Sequence, residues 1–524
     1  MRIMINVKRI NEQALKKYLA FFAIVILLLY LIIGTGLHSD DYLFITRPFN
    51  GWRYFFIPSV DQFQELLFGL PTYYVFYWAY PVFGLSYQWG YDLIKVVAHL
   101  ISLYCVFKFA SDYIPRDRAM IASALFVLYP LHDSTVYWYM TITYTLQASV
   151  LLYAHSLMRH EKFVWSLLLL VYGVFGFSSP PYVFGLVAIF LFERKYIKAM
   201  LFALPGLLYV FVYFWILKNV QGASKRIDTH INLIAYIKQL IFQTLSFIEA
   251  AIGPSYWLKV YYSIGSIGLV SAIIAIGIVI IFFFKVASFS ERPQFSKSLY
   301  VGLLSILMLS FGMYALTALY PQSAFNLGNR STVYGSLLIA FLLALLPLNK
   351  KTVVFFALIF ILPVFGLSDH WKSWNTRQKL IIENIQTNKE LKKIEPGSTV
   401  MVTGNMYSLL GPFSHIDFFV TPRLFTSLFR DLLKKNDVFP LTSNIYLKNS
   451  FLIDGKFGVK HALSDKMYVY NSETHSVNMI SISAVPKLLA ERPREIRHWV
   501  QLAKGSWIES SIVYFNPTYA RLFN

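Results

Sequence analysis

Long apolar runs recur along the first two-thirds of the chain, separated by short polar turns rich in Lys and Arg. About 17–25 consecutive apolar residues are enough to cross the ~30 Å hydrocarbon core of a bilayer as a helix. By length and apolarity the sequence predicts about eleven spans, at 17–37, 89–110, 117–131, 135–157, 162–178, 181–194, 196–217, 262–285, 298–319, 331–348 and 351–368. The pattern changes at Asp369, after which no run reaches membrane length. In that last part, Trp374 to Lys393 reads as a helix with charged faces and Pro396-Gly397 as a turn. Strands are predicted at Ser398 to Thr403, near Phe418-Phe419-Val420 and at Lys466 to Tyr470. The expected fold is a polytopic α-helical membrane domain over 1–368, followed by a small α/β or α+β extracytoplasmic domain over 369–524.

Two segments break the rhythm. Arg47 to Gln88 holds the aromatic clusters Trp52-Arg53-Tyr54-Phe55-Phe56 and Tyr73 to Trp78, interrupted by Pro58, Pro71 and Pro81. Lys218 to Tyr261 contains the amphipathic stretch Leu233 to Phe242. Both read as helices lying in the membrane interface, where Trp and Tyr are favoured.

Charge gives the runs a direction. With the N-terminus cytoplasmic, alternate turns carry Arg116 and Arg118, then Arg159 and Lys162, then Arg194, Lys195 and Lys198. Lys285, Arg292 and Lys297 follow, and then Lys350 and Lys351. All these short basic turns fall on one side, as the positive-inside rule requires. The first run follows a basic N-terminus and lacks a small-residue cleavage site, so it reads as a retained signal anchor.

Composition changes the picture little. The 524 residues are 56% hydrophobic, 18% aromatic and 14% charged, above the usual apolar share of a soluble protein. The net charge of +20 would suit nucleic acid, but the cations sit at the ends of apolar runs, where they act as topology determinants. No nucleic-acid partner is expected. The single cysteine, Cys105, excludes an intramolecular disulfide. The sequence holds no internal repeat, metal-finger spacing, phosphate-cradling glycine loop or nucleophile elbow.

Four polar groups fall on the side opposite the basic turns. Asp40 and Asp41 directly follow the first run, in His38-Ser39-Asp40-Asp41-Tyr42. Adjacent carboxylates at a membrane surface repel one another and resist desolvation. They either mark a helix end in water, or take a proton from a hydroxyl or hold a divalent cation. His132 and Asp133 form the second group, at a turn between runs. They could bind a metal or orient an acceptor, or Asp133 could simply cap the next helix. Arg330 is the third, a cation at a run start on the side where topology gives it no purpose. Its planar fork suits a phosphate diester, the alternative being a side chain that snorkels to the interface. The fourth is Lys218 with Lys225 and Arg226, which reads first as a solvated charge run and otherwise could attract a lipid phosphate or an acidic glycan. Together the carboxylates would activate an acceptor hydroxyl, while the cations hold the phosphate of a lipid-borne donor as it leaves.

At these residues the chain resembles the membrane-embedded, lipid-sugar-using glycosyltransferases of the C-type fold (GT-C). The resemblance runs through His38 to Tyr42, Gly90 to Leu100, the Pro130-Leu131-His132 turn within Leu125 to Trp138, and Gly328 to Tyr334. Ser178-Ser179-Pro180-Pro181 stands where many relatives carry a charged pair, and Lys95 where a neutral amide is common. The resemblance implies Asp40 or Asp41 as the acceptor-activating base or cation ligand, and Arg330 as the donor-phosphate contact. Lys218 and Arg226 are further candidates for that phosphate. It also implies a polyprenyl-phosphate sugar as donor and a glycan or lipid-linked acceptor such as lipopolysaccharide O-antigen. The site would lie on the outer face of a bacterial inner membrane. Magnesium or manganese is left open as a cofactor, and a donor-sugar flippase and a polyprenyl-phosphate sugar synthase as partners. The competing readings are a lipid-linked glycan transporter or flippase, and an O-antigen ligase or polymerase.

Overall fold

The computed structural model describes residues 19–45, 78–176, 178–219, 232–288, 296–317, 321–418, 420, 422–435, 438–442, 445–454, 460–463, 466–492, 494–515, 520 and 523. Most of the segment 47–88, expected to lie in the interface, is outside these residues.

Among the described residues, five helices are long and apolar enough to cross a membrane: Gln88–Ala110, Tyr196–Trp215, Lys297–Thr317, Leu327–Ala344 and Lys350–Lys393. Leu233–Gly265 with Leu269–Lys285, bent by 114°, adds a sixth if the pair is one span. This is fewer than the eleven expected. Most of the other apolar runs do form helix, but the helices are short or broken. Phe163–Val174 and Pro180–Phe192 have 12 and 13 residues, which reach roughly 18–20 Å. The run at 117–131 stops at Val127. Tyr129 is extended ahead of Pro130, as the proline ring demands of the preceding residue. The next run opens with the single turn Ser134–Tyr137, an extended Trp138 and a 3₁₀ turn, and only then becomes Ile142–Arg159. Apolarity predicts burial away from water, but it does not force a helix to be continuous.

The distribution of side chains is that of a lipid-facing bundle. Ile142–Arg159 is almost wholly buried although it carries Thr145, Gln147, Ser149 and His155. Phe211, Leu269 and Phe284, by contrast, are 68%, 78% and 77% exposed. Leu233–Ile252 follows the same rule. Asn232 caps it by accepting from the Ala235 N–H. Leu233, Ile237, Ile241 and Leu245 face outward while Gln243 and Phe247 are buried. Its inner face packs on Lys297–Thr317 through Phe247 and Phe311, at 5.6 Å between ring centroids.

The short basic turns are bonded to one another. Arg159 donates to both oxygens of Glu193 at 2.6 and 2.7 Å, and Lys195 and Ser298 also reach Glu193. Asp112 accepts from Ser156 and His160. Arg118 donates to the carbonyls of Ala344 and Leu346. The cations that share a side in the sequence pattern therefore meet acceptors freed at helix ends, where a cation also complements the helix dipole.

No break marks the expected boundary at Asp369. From Lys350 the helix runs through a π-helical turn at Ala357–Ile361 to Thr387, about 57 Å and nearly twice the bilayer core, and Lys389–Lys393 follows an extended Asn388. Beyond its far end, β1 (Thr399–Thr403) pairs in parallel with β4 (Phe439–Thr442) and β8 (Met467–Asn471), and β9 (Ser476–Ile480) lies antiparallel to β8. β2 (Tyr407–Leu410) and β3 (Phe413–Asp417) form a hairpin. β5 (Ile445–Lys448), β6 (Phe451–Asp454) and β7 (Lys460–Ala462) form a third sheet. The strand expected at Phe418-Phe419-Val420 lies earlier, since β3 ends at Asp417. Phe418 turns out of the strand to pack on Tyr42, 5.5 Å away.

Reporter fusions at Lys351 and Lys393 are expected to report opposite sides of the membrane, because the helix between them is nearly twice the bilayer thickness. Equal sidedness would mean that this helix does not cross.

Candidate functional site

The segment after the first apolar helix is fixed by a buried ion pair. Lys95, on Gln88–Ala110, lies 2.8 Å from Asp92. Its ammonium also donates to Thr35 Oγ1, Gly36 O and Tyr137 O at 2.7–2.9 Å. Asp92 accepts from the Gly34 and Gly36 N–H groups. Polar residues recur through this helix because one face meets the backbone of residues 34–36 and 136–137. Gly36 is required there. Its φ is +63°, and a Cβ would sit 2.3 Å from the Asn375 side chain.

His38 to Tyr42 then makes a reciprocal turn. The Asp41 N–H donates to His38 O, and the His38 N–H donates to Asp41 Oδ2 at 2.9 Å. The Tyr80 hydroxyl donates to Asp41 Oδ1 at 2.7 Å. The His38 ring donates through Nε2 to Thr35 O. Its Nδ1 faces the Gln378 amide nitrogen at 2.9 Å. Burial holds this imidazole neutral, well below its ordinary range. Burial also pushes the Asp41 carboxyl up to about 7, against the pull of the His38 and Tyr80 bonds.

The two acids therefore differ. Asp41 is fully buried, with both oxygens taken. Asp40 is half-buried, and its carboxylate has no hydrogen-bond or ion-pair partner among the described residues. Asp40 is therefore the more accessible of the two carboxylates, while Asp41 is held within the turn.

Asp133 has a different place from either role considered for it. As N-cap of Ser134–Tyr137 it makes no side-chain capping bond. Its carboxylate collects Lys259 Nζ at 2.6 Å, Trp371 Nε1 at 2.7 Å, His415 Nε2 at 2.8 Å, and the Asn329 amide. Burial alone would raise this carboxyl, but Lys259 and His415 hold it well below the usual carboxylate range. Both His132 nitrogens are also engaged, with Phe126 O and Thr135 Oγ1. The pair is thus a packed hub rather than an open metal or acceptor site. Among the described residues no group of three or more His, Cys, Asp or Glu is placed to hold a metal ion.

Arg330 lies in the 3₁₀ turn Leu327–Thr332, immediately before the helix Val333–Ala344. It donates to Leu327 O at 2.6 Å, and its guanidinium stands 5.5 Å over the Trp138 ring. Tyr139, the next residue after Trp138, meets Tyr80 edge-on at 5.5 Å. A short aromatic bridge thus links Arg330 to the Asp41 turn. Lys218 lies in the last turn of Tyr196–Asn219, and Arg226 lies outside the described residues. In place of a charged pair, Ser178 donates to Gln147 Oε1 at 2.6 Å and its carbonyl accepts from Tyr334 at 2.8 Å.

Sequence reasoning missed Tyr80, Lys259, Trp371 and His415. Lys259 left one signal, as a lone cation in the aromatic run Tyr256-Trp257-Leu258-Lys259-Val260-Tyr261. The other three are ordinary residues until the fold brings them to a carboxylate.

Two outcomes test this geometry. Asp133→Ala strands the buried Lys259 ammonium and is expected to cost about 3–5 kcal/mol, read as a lower melting temperature in detergent. Asp41→Asn tests the raised carboxyl. A group whose folded pKa is raised contributes stability that is present below 3.8 and lost as pH climbs to about 7. Wild type should therefore lose stability relative to Asp41→Asn across that window. A pH-independent difference would mean that Asp41 is already ionised in the fold.

Comparison with protein-family models, with curated proteins and with solved structures finds no match to this chain.

Proposed function

We propose that this chain is a membrane glycosyltransferase that moves a sugar from a polyprenyl-phosphate donor to an envelope-glycan acceptor on the extracytoplasmic face. The observation that carries the reading is the contrast within the acid pair. A rigid turn fixes Asp41, and the neighbouring Asp40 carboxylate is left without a partner among the described residues. A hydroxyl entering beside Asp40 can pass its proton to that oxygen as it attacks the anomeric carbon. The leaving lipid phosphate needs cationic donors, and Arg330 supplies a planar fork at the start of a helix, where the N–H groups also favour an anion. The apolar outer surface keeps a polyprenyl chain in reach. The joined basic turns favour the cytoplasm for the opposite end.

The test is initial rate against donor and acceptor concentration in purified, reconstituted protein. Asp40→Asn keeps the shape and removes the charge. It should lower turnover by about two to four orders of magnitude while folded protein stays at the wild-type level. Near-normal transfer would leave Asp40 as the end of a helix in water.

Arg330→Ala should raise the donor requirement by the equivalent of about 2–4 kcal/mol and leave acceptor dependence unchanged, with Arg330→Lys falling between. A shift in acceptor dependence alone would move Arg330 to the acceptor side.

A further inference from the structure

A cavity of about 360 Å³ opens between the start of Gln88–Ala110 and residues 379–386 of the long helix. Ser86, Gln88, Lys379, Ile382, Glu383 and Gln386 line it. Both walls continue the elements that hold the acid pair. Gln378, which faces His38 and Leu37, immediately precedes Lys379. Tyr80, which bonds Asp41, begins the turn of chain that leads through Leu85 to Gln88. Lys379, Ile382, Glu383 and Gln386 share one face of their helix at i, i+3, i+4 and i+7.

One atom in this wall is unsatisfied. Gln88 is 4% exposed, and its side-chain oxygen has no hydrogen-bond partner among the described residues. A buried acceptor left unpaired costs about 1–3 kcal/mol. It would be satisfied by a ligand that brings a hydrogen-bond donor into the cavity. Lys379 and Glu383 are both exposed, so each can reach a ligand. The lining is electrically balanced, with one cation, one anion, a hydroxyl and two amides.

That chemistry discriminates between ligands. A phosphate brings only acceptors, which Gln88 Oε1 and the Glu383 carboxylate would repel. A neutral polyol brings hydroxyls that both donate and accept. We propose that this cavity is a saccharide subsite, binding one neutral sugar residue of the acceptor glycan beside the acid pair. The assignment to the acceptor rests on the transferase reading above. The saccharide chemistry of the cavity does not.

The experiment uses the full chain in detergent, with methyl glycosides of glucose, galactose, mannose and N-acetylglucosamine as probes and inorganic phosphate as the charged control. Hydrogen exchange is followed over 84–90 and 379–386. At least one glycoside should slow exchange in both segments with saturation, and phosphate should not. Gln88→Leu should weaken that protection about tenfold, the loss of one polar contact. Because Gln88 is buried, Gln386→Ala, on the exposed helix face, serves as a second variant and should weaken protection in the same direction. No saturable protection by any glycoside overturns the proposal, as does equal protection by phosphate or unchanged affinity in both variants. In the transfer assay, Gln88→Leu should raise the acceptor KM and leave the donor KM unchanged. Glycoside protection without any transfer would sink the enzymatic reading and keep the subsite. Transfer without glycoside protection would do the reverse.

Discussion

The join between the helices and the C-terminal sheets depends on one buried carboxylate. Asp133 takes its four donors from four separate parts of the chain: Lys259, Asn329, Trp371 and, from the C-terminal sheets, His415. An isolated ion could not be kept there, since desolvation costs several kcal/mol per charge. The fold meets that cost by converging a counter-charge and three further donors on two oxygens. Any rearrangement that withdraws one donor leaves buried charge exposed to an apolar medium. The hub therefore acts as a locking condition on how the C-terminal domain sits over the helices.

Packing around the hub follows the same demand for close contact. Phe413 of β3 stacks on Phe325 at 4.0 Å, and His415 meets the same ring edge-on. Trp371 donates to Asp133 and presents its ring to His38 at 4.7 Å. His38 belongs to the turn that carries Asp40 and Asp41. The hub, the acid-pair turn and the aromatic bridge to Arg330 are thus joined by a chain of contacts. Side chains on a loop keep one geometry only when packing locks their rotamers. Around the Asp40-Asp41 turn, Lys95 with Asp92 packs on one side, and Trp371, bonded to Asp133, on the other.

The two buried ion pairs also explain why polar residues recur inside apolar runs. Lys95 and Asp92 neutralise one another and satisfy backbone that would otherwise be stranded between Gly34 and Gly36. Lys259 does the same for the carbonyls of Leu131 and Ala324. In a low-dielectric interior an unmet carbonyl is expensive, and irregular backbone is tolerated only where such partners exist. These cations therefore let the chain leave helical geometry around residues 34–36, 131 and 324.

The sequence by itself determined the class of the protein. Long apolar runs, basic turns in alternation and the change at Asp369 are local properties, and each needs only neighbouring residues to be read. The helices Gln88–Ala110 and Lys297–Thr317 start and end within a residue or two of the runs that predicted them. The number of spans was not legible in this way, because proline at 130 ends one run early and the extended Trp138 interrupts the next. Asp40 and Asp41 could be singled out but not told apart, since their difference lies in Tyr80 and His38 donating to one and not to the other. The role of Asp133 was invisible for the same reason, as its partners lie between 126 and 282 positions away along the chain. Local pattern fixes what each segment prefers to touch. Only the tertiary structure decides which charges share a burial site, because desolvation makes each one depend on partners that the chain brings from far away.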